Sequence, residues 1–127
     1  MAKLRHIALI VEDPEASARF FAAAFSMTRT GEAPFGCHMS DGVMTVALLK
    51  KETPEEHIGI DHFGLWVDDL ESASRQAVDA GAVSMGSHTP GDKAFYEAKF
   101  LSPDGIVFDL SQTGWPGAAR EAARDID

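Results

Sequence analysis

Residues Leu4 to Phe20 (LRHIALIVEDPEASARF) recur without a gap at Ile60 to Gln76 (IDHFGLWVDDLESASRQ). The overlay matches His6 with His62, Leu9 with Leu65, Val11 with Val67, Asp13 with Asp69, Glu15 with Glu71 and Arg19 with Arg75. A repeat spaced by nearly half the chain describes two copies of one supersecondary unit, a constraint that outranks any local reading of propensity. Each copy opens with a histidine.

Two half-domains sharing one sheet fit 127 residues of 45% hydrophobic composition, whereas two independent domains do not. The net charge of −9 speaks against a nucleic-acid groove, because phosphate binding needs clustered Lys and Arg. Cys37 is the single cysteine, so no disulfide forms within the chain and a reducing compartment is expected. No activating neighbour is visible in sequence, so Cys37 reads as a small buried or loop residue rather than a nucleophile. The apolar run Ile7 to Val11 is broken at once by Glu12 and Asp13, which suits neither a signal segment nor a membrane span. The expectation is a soluble, cytoplasmic protein with neither nucleic-acid nor membrane partner.

Along the chain, Leu4 to Val11 reads as a strand covered on both faces, with His6, Ala8 and Ile10 sharing one face. Asp13, Pro14 and Glu15 signal a helix start, and the helix is expected to run from about Pro14 to Phe25, burying Ala16, Phe20, Ala23 and Ala24. Strands follow at Thr28 to Gly31, Gly36 to Met39 and Val43 to Leu49, the last two joined by an Asp41-Gly42 turn. This first module spans about residues 1–51, and a charged linker occupies 52–57. The second, about 58–113, restarts with a strand at Ile58 to Val67 that puts His62, Gly64 and Trp66 on one face. A helix from about Leu70 to Ala80 is stopped by Gly81. A short strand at Val83 to Met85, a polar loop at Gly86 to Asp92, and strands at Phe95 to Leu101 and Ile106 to Ser111 around a Pro103-Asp104-Gly105 turn complete it. The tail, 114–127, reads as a short surface helix or a frayed end, with no function assigned.

His6, His62 and Asp109 stand out as chemistry. The histidines occupy equivalent places in the repeats, and a twofold relation between the modules makes them face each other. Asp109 interrupts the apolar strand IVFDLS, and a buried carboxylate needs a partner. Two imidazoles and a carboxylate on a rigid sheet suit a divalent transition metal with open coordination positions. Trp66 shares the His62 face and reads as either an aromatic wall of a pocket or core packing. His38, His57 and His88 are read as solvated, in turns or the linker. Glu97 and Lys99 show ordinary strand alternation, with one of them a candidate to line the same concavity.

The paired H-x-x-L-x-V-x-D-x-E openings at His6 and His62, together with FLSPDGIVFDL from Phe100 to Leu110, resemble the vicinal oxygen chelate superfamily of glyoxalases, bleomycin-resistance proteins and extradiol dioxygenases. The resemblance extends over nearly the whole chain up to Gln112. It implies an α+β fold in which two βαβββ modules form a curled mixed-sheet cup with helices outside. It also implies a metal held by first and last strands, here His6, His62 and Asp109. The family usually has Glu where this chain has Asp109. Many of its isomerases take a fourth ligand from the last strand of module one, where Val46 or Ala47 stands here. Without that ligand, the set looks more like the ring-cleaving dioxygenases or fosfomycin-modifying transferases than a lactoylglutathione lyase-like proton shuttle.

The function expected on this reading is a metalloenzyme whose small substrate chelates Fe, Mn, Ni or Zn through neighbouring oxygens, with Trp66 as a substrate contact and no catalytic residue assigned. The rivals are a metal-free sequestering protein of the bleomycin-resistance type and an inert scaffold. A homodimer is expected because family members commonly dimerise.

Overall fold

The computed structural model describes residues 2–88, 97–115 and 117–119. Its elements run β1 (Lys3–Val11), α1 (Pro14–Phe25), β2 (Thr28–Ala33), β3 (Gly36–Ser40), β4 (Thr45–Lys50), β5 (Gly59–Trp66), α2 (Leu70–Asp79), β6 (Val83–His88), β7 (Glu97–Leu101) and β8 (Val107–Ser111). This is βαβββ twice. The strands form one mixed eight-stranded sheet, ordered β2-β3-β4-β1-β5-β8-β7-β6. The α+β fold read from the sequence is the fold observed.

The repeat explains the order. In each half the first strand runs parallel to the last, β1 with β4 and β5 with β8, and the two first strands meet antiparallel at the centre. Both helices begin the same way, on the matched aspartates. Asp13 accepts from the backbone of Glu15 and Ala16, and Asp69 from that of Ser72, which supplies partners for otherwise unpaired first-turn N–H groups. Pro14 follows its cap at the first helical position, where its missing N–H costs nothing.

Each helix covers its own half of one sheet face. Ala18 packs with Cys37, Met39 and Leu48 beneath α1, while Val67, Ala98, Phe100 and Leu110 form the corresponding core beneath α2. Phe63, Phe108 and Phe100 stack in series across the second core. Because strand side chains alternate, the residues between these core positions project from the opposite face, and that face carries the site.

Several expectations are corrected. The buried stripe of α1 is not Ala16, Phe20, Ala23 and Ala24, all of which are exposed; Ala18 is buried and Phe21 half-buried instead. The segment FFAAAF is apolar around its whole circumference, so periodicity alone does not choose a face. β6 continues to His88, beyond the strand expected to end at Met85. Residues 89–96 and 120–127, part of the expected polar loop, the start of the β7 strand and the end of the tail, lie outside the described residues. Among the described residues, no helix is long and apolar enough to cross a membrane.

Candidate metal centre

The register at the middle of the sheet brings the two repeats into contact. His6 is paired with Gly64 and Ala8 with His62. The repeat itself equates His6 with His62 and Ala8 with Gly64, so these two pairs exchange under a local twofold axis between β1 and β5. The imidazoles meet edge to face, with ring centroids 5.3 Å apart. On the next strand, Asp109 of β8 is paired with Gly64, which carries its carboxylate to the same level. One nitrogen of each histidine and one Asp109 oxygen lie within 4.8 Å of one another. The structure thus brings together His6, His62 and Asp109.

The same axis decides between Val46 and Ala47. Asp109 pairs with Gly64, and Ala47 pairs with Ala8, so Ala47 is the counterpart of Asp109 in module one. A methyl group stands where a fourth ligand would project. Among the described residues the candidate set is therefore two imidazoles and one carboxylate.

Neighbours hold these groups in defined states. Asp61 Oδ2 lies 2.7 Å from His62 Nδ1, and a carboxylate only accepts, so Nδ1 carries a proton in this contact. Nε2 lies 3.1 Å from Asp109 Oδ2, where it donates when the ring is doubly protonated and presents a lone pair when it is neutral. In the neutral ring those two lone pairs need a cation between them, and either a proton or a metal supplies it. Lys99 Nζ donates to the other oxygen, Oδ1, at 2.7 Å, which leaves Oδ2 the free ligand atom. Among the described residues His6 Nδ1 is buried without a hydrogen-bond partner, a costly condition for a polar atom, and Asp109 Oδ2 is buried with only His62 Nε2 near it. The residues present therefore fit a divalent ion.

Electrostatics follow from the packing. Burial, with the neighbouring His62 adding to it, lowers His6 to about 3, so its imidazole is neutral at ordinary pH. Burial alone would raise Asp109, but hydrogen bonds and charge from His62 and Lys99 outweigh it and hold the carboxyl at about 2. Burial would likewise lower His62; the Asp109 carboxylate reverses the sign and raises it. Glu97, desolvated and facing Asp109, is pushed up to about 7.

Parts of the site escaped the sequence reading or stand elsewhere than it placed them. The tail is not a free surface segment: Trp115 is buried, stacks on His6 with centroids 5.0 Å apart, and donates Nε1–H to Glu97 at 3.1 Å. The strap continues to module one, where Ser40 Oγ donates to the Gly117 carbonyl at 2.6 Å and the Ala119 N–H bonds to Val43. Gly64 makes this possible, since a Cβ there would lie 2.7 Å from both His6 Nδ1 and the Trp115 ring. The small residue two places after each histidine was a signal available in the repeat. Trp66, expected at the substrate, donates its indole N–H to the Gln112 carbonyl at 3.0 Å and packs against Gly114, supporting the root of the strap. His38 is a correction. It lies on β3 rather than in a solvated turn, and its Nδ1 is buried without a partner among the described residues. Glu97 and Lys99 both face Asp109.

The model of the Glyoxalase/Bleomycin resistance protein/Dioxygenase superfamily matches residues 3–110. No curated protein matches the chain by sequence. Among solved structures, the chain is similar to a 2,3-dioxygenase from Pseudomonas sp. KL28, with 18% identity, a TM-score of 0.72, and coverage of 91% of this chain and 42% of that one. A Mn(II)-bound glyoxalase from Novosphingobium aromaticivorans is 25% identical with a TM-score of 0.70, over 96% of this chain and 42% of that one. A methylmalonyl-CoA epimerase from Streptomyces coelicolor is 12% identical with a TM-score of 0.70, over 86% of this chain and 95% of that one. The chain spans less than half the length of the dioxygenase and of the glyoxalase. With the family model extending from the first strand to the last, across both repeats, the chain belongs to the glyoxalase/bleomycin resistance protein/dioxygenase superfamily.

Proposed function

We propose that this protein is a metal-dependent enzyme whose small substrate binds a divalent ion through two neighbouring oxygens, in a dioxygenase-like or lyase-like reaction. His6, His62 and Asp109 are the proposed ligands. The observation that carries the reading is the buried cluster within 4.8 Å, whose His6 Nδ1 has no hydrogen-bond partner among the described residues. The likeness to a Mn(II)-bound glyoxalase supports it. The donors suit Fe, Mn, Ni or Zn.

The bound ion supplies Lewis acidity or oxygen activation at positions the protein leaves unligated. The chain's own residues prepare those positions. Asp61 fixes the His62 tautomer with Nε2 inward, and Lys99 occupies Oδ1 so that Asp109 offers one oxygen. Trp115 stacks on the face of His6 and holds that ring in place. Ala47, in place of a fourth ligand, leaves coordination to the substrate.

A metal-free sequestering protein is the second reading. It is favoured by Lys99 and His62, which together can balance the charge of Asp109 without an ion. Titration with Mn(II), followed by the relaxation of water protons, separates the two. The enzyme reading expects a stoichiometric rise in relaxivity that a chelating ligand such as acetohydroxamate reverses by displacing bound water. Absence of that rise contradicts it. A homodimer in the cytoplasm completes the proposal; Phe20 and Phe25 on the outer side of α1 and Ile60 on β5 are exposed apolar surface for a second copy.

A further inference from the structure

The local twofold axis that relates His6 to His62 also relates two residues flanking the centre. In module two, Asp109 is paired on one side with Gly64 and on the other with Lys99. In module one, Ala47 is paired with Ala8 and with His38. His38 therefore stands in the place of Lys99. Its strand neighbours Cys37 and Met39 are buried in the core beneath α1, so the His38 ring projects from the opposite face, the one that carries His6, His62 and Asp109.

The two counterparts differ in what they meet. Lys99 has the Asp109 carboxylate at 2.7 Å. His38 has only alanine methyl groups between it and His62 along the paired row His38, Ala47, Ala8, His62. Its Nδ1 is buried with no hydrogen-bond partner among the described residues. A polar atom kept in that condition is costly unless a partner arrives from outside the chain. The strap makes its contacts one level further along, at Ser40, His6 and Gly64, which places the His38 level on the side of the centre that Trp115 does not cover.

We infer that His38 is a substrate-positioning residue of this site: its Nδ1 accepts a hydrogen bond from a hydroxyl on a ligand whose adjacent oxygen is held at His6, His62 and Asp109. Ala8 and Ala47 are the small floor over which that ligand lies. The ligand class is a catechol or α-hydroxy acid, with vicinal oxygens of which one carries a proton. The inference rests on the metal reading given above.

The test titrates Mn(II)-loaded wild type, His38→Phe and His38→Gln with 4-nitrocatechol, followed by absorbance, and counts metal per chain in each sample. Phe keeps the ring volume and removes both nitrogens; Gln restores an acceptor. The expected result is wild-type metal content in both variants, about tenfold weaker 4-nitrocatechol binding in His38→Phe, and recovery of part of that loss in His38→Gln. Unchanged affinity in His38→Phe, or metal loss in it, overturns the role of His38 while leaving the metal reading standing. Wild type that takes up no Mn(II) removes the metal reading and this inference with it.

Discussion

Replacing Gly64 with alanine probes the centre without touching a ligand. The added Cβ would meet His6 Nδ1 and Trp115 Cζ2 at 2.7 Å and Trp115 Cη2 at 2.9 Å. Ordinary van der Waals contact begins at 3.4 Å, so both rings must retreat by about 0.7 Å, more than the ~0.5 Å within which a preorganised site keeps its geometry. Neither ring can retreat freely, since His6 is buried on the central strand and Trp115 is tied to Glu97. Overpacking of this kind costs about 1–3 kcal/mol. The loss of chain entropy on replacing glycine returns about 0.4–1 kcal/mol of that. Gly64→Ala is therefore expected to lower the urea midpoint of the metal-free protein modestly and to weaken Mn(II) affinity, measured by competition with a chromogenic chelator, at least tenfold. The axis supplies an internal contrast, because Ala8 already carries a methyl group at the equivalent point. Wild-type midpoint and wild-type affinity in Gly64→Ala would refute the idea that His6 is held between Gly64 and Trp115.

Further expectations concern charge, the strap and the missing fourth ligand. His6 titrates at about 3 in the folded protein against an ordinary 6.5, so its contribution to stability is full above pH 6.5 and is lost as pH falls toward 3; denaturant midpoints of the metal-free protein should fall across that window, and less steeply in His6→Gln. Protonation of His62, raised by Asp109, competes with metal, so Mn(II) affinity should fall by about tenfold per pH unit below the His62 pKa, and a flat profile would count against His62 as a ligand. Trp115→Ala removes a buried indole and should cost about 3–5 kcal/mol in denaturation, whereas a loss below 1 kcal/mol would mean the strap is not packed in solution. Ala47→Glu places a carboxylate opposite Asp109 and should tighten Mn(II) binding while weakening acetohydroxamate binding, both read by water-proton relaxation.

Much of this architecture was legible because it is written twice. The matched aspartates announced both helix starts, and the matched histidines pointed to neighbouring positions on adjacent strands. Asp109 was legible as a charge inside an apolar strand. What remained hidden depends on contacts between distant segments. Nothing local in Gly-Trp-Pro-Gly says that Trp115 will stack on His6, and an alanine-rich helix does not announce that Ala18 rather than Phe20 turns inward. His38 was hidden for a subtler reason. Its face follows from the β3 to β4 register, which pairs it with Ala47, and that register is set by the turn between the strands rather than by residues near His38.

The most direct test of the central claim is elemental analysis of protein purified without chelator, comparing wild type with His62→Ala. Wild type should carry close to one transition-metal ion per chain and the variant almost none. A wild-type protein free of metal, or a variant that keeps the full complement, would contradict a centre built from His6, His62 and Asp109.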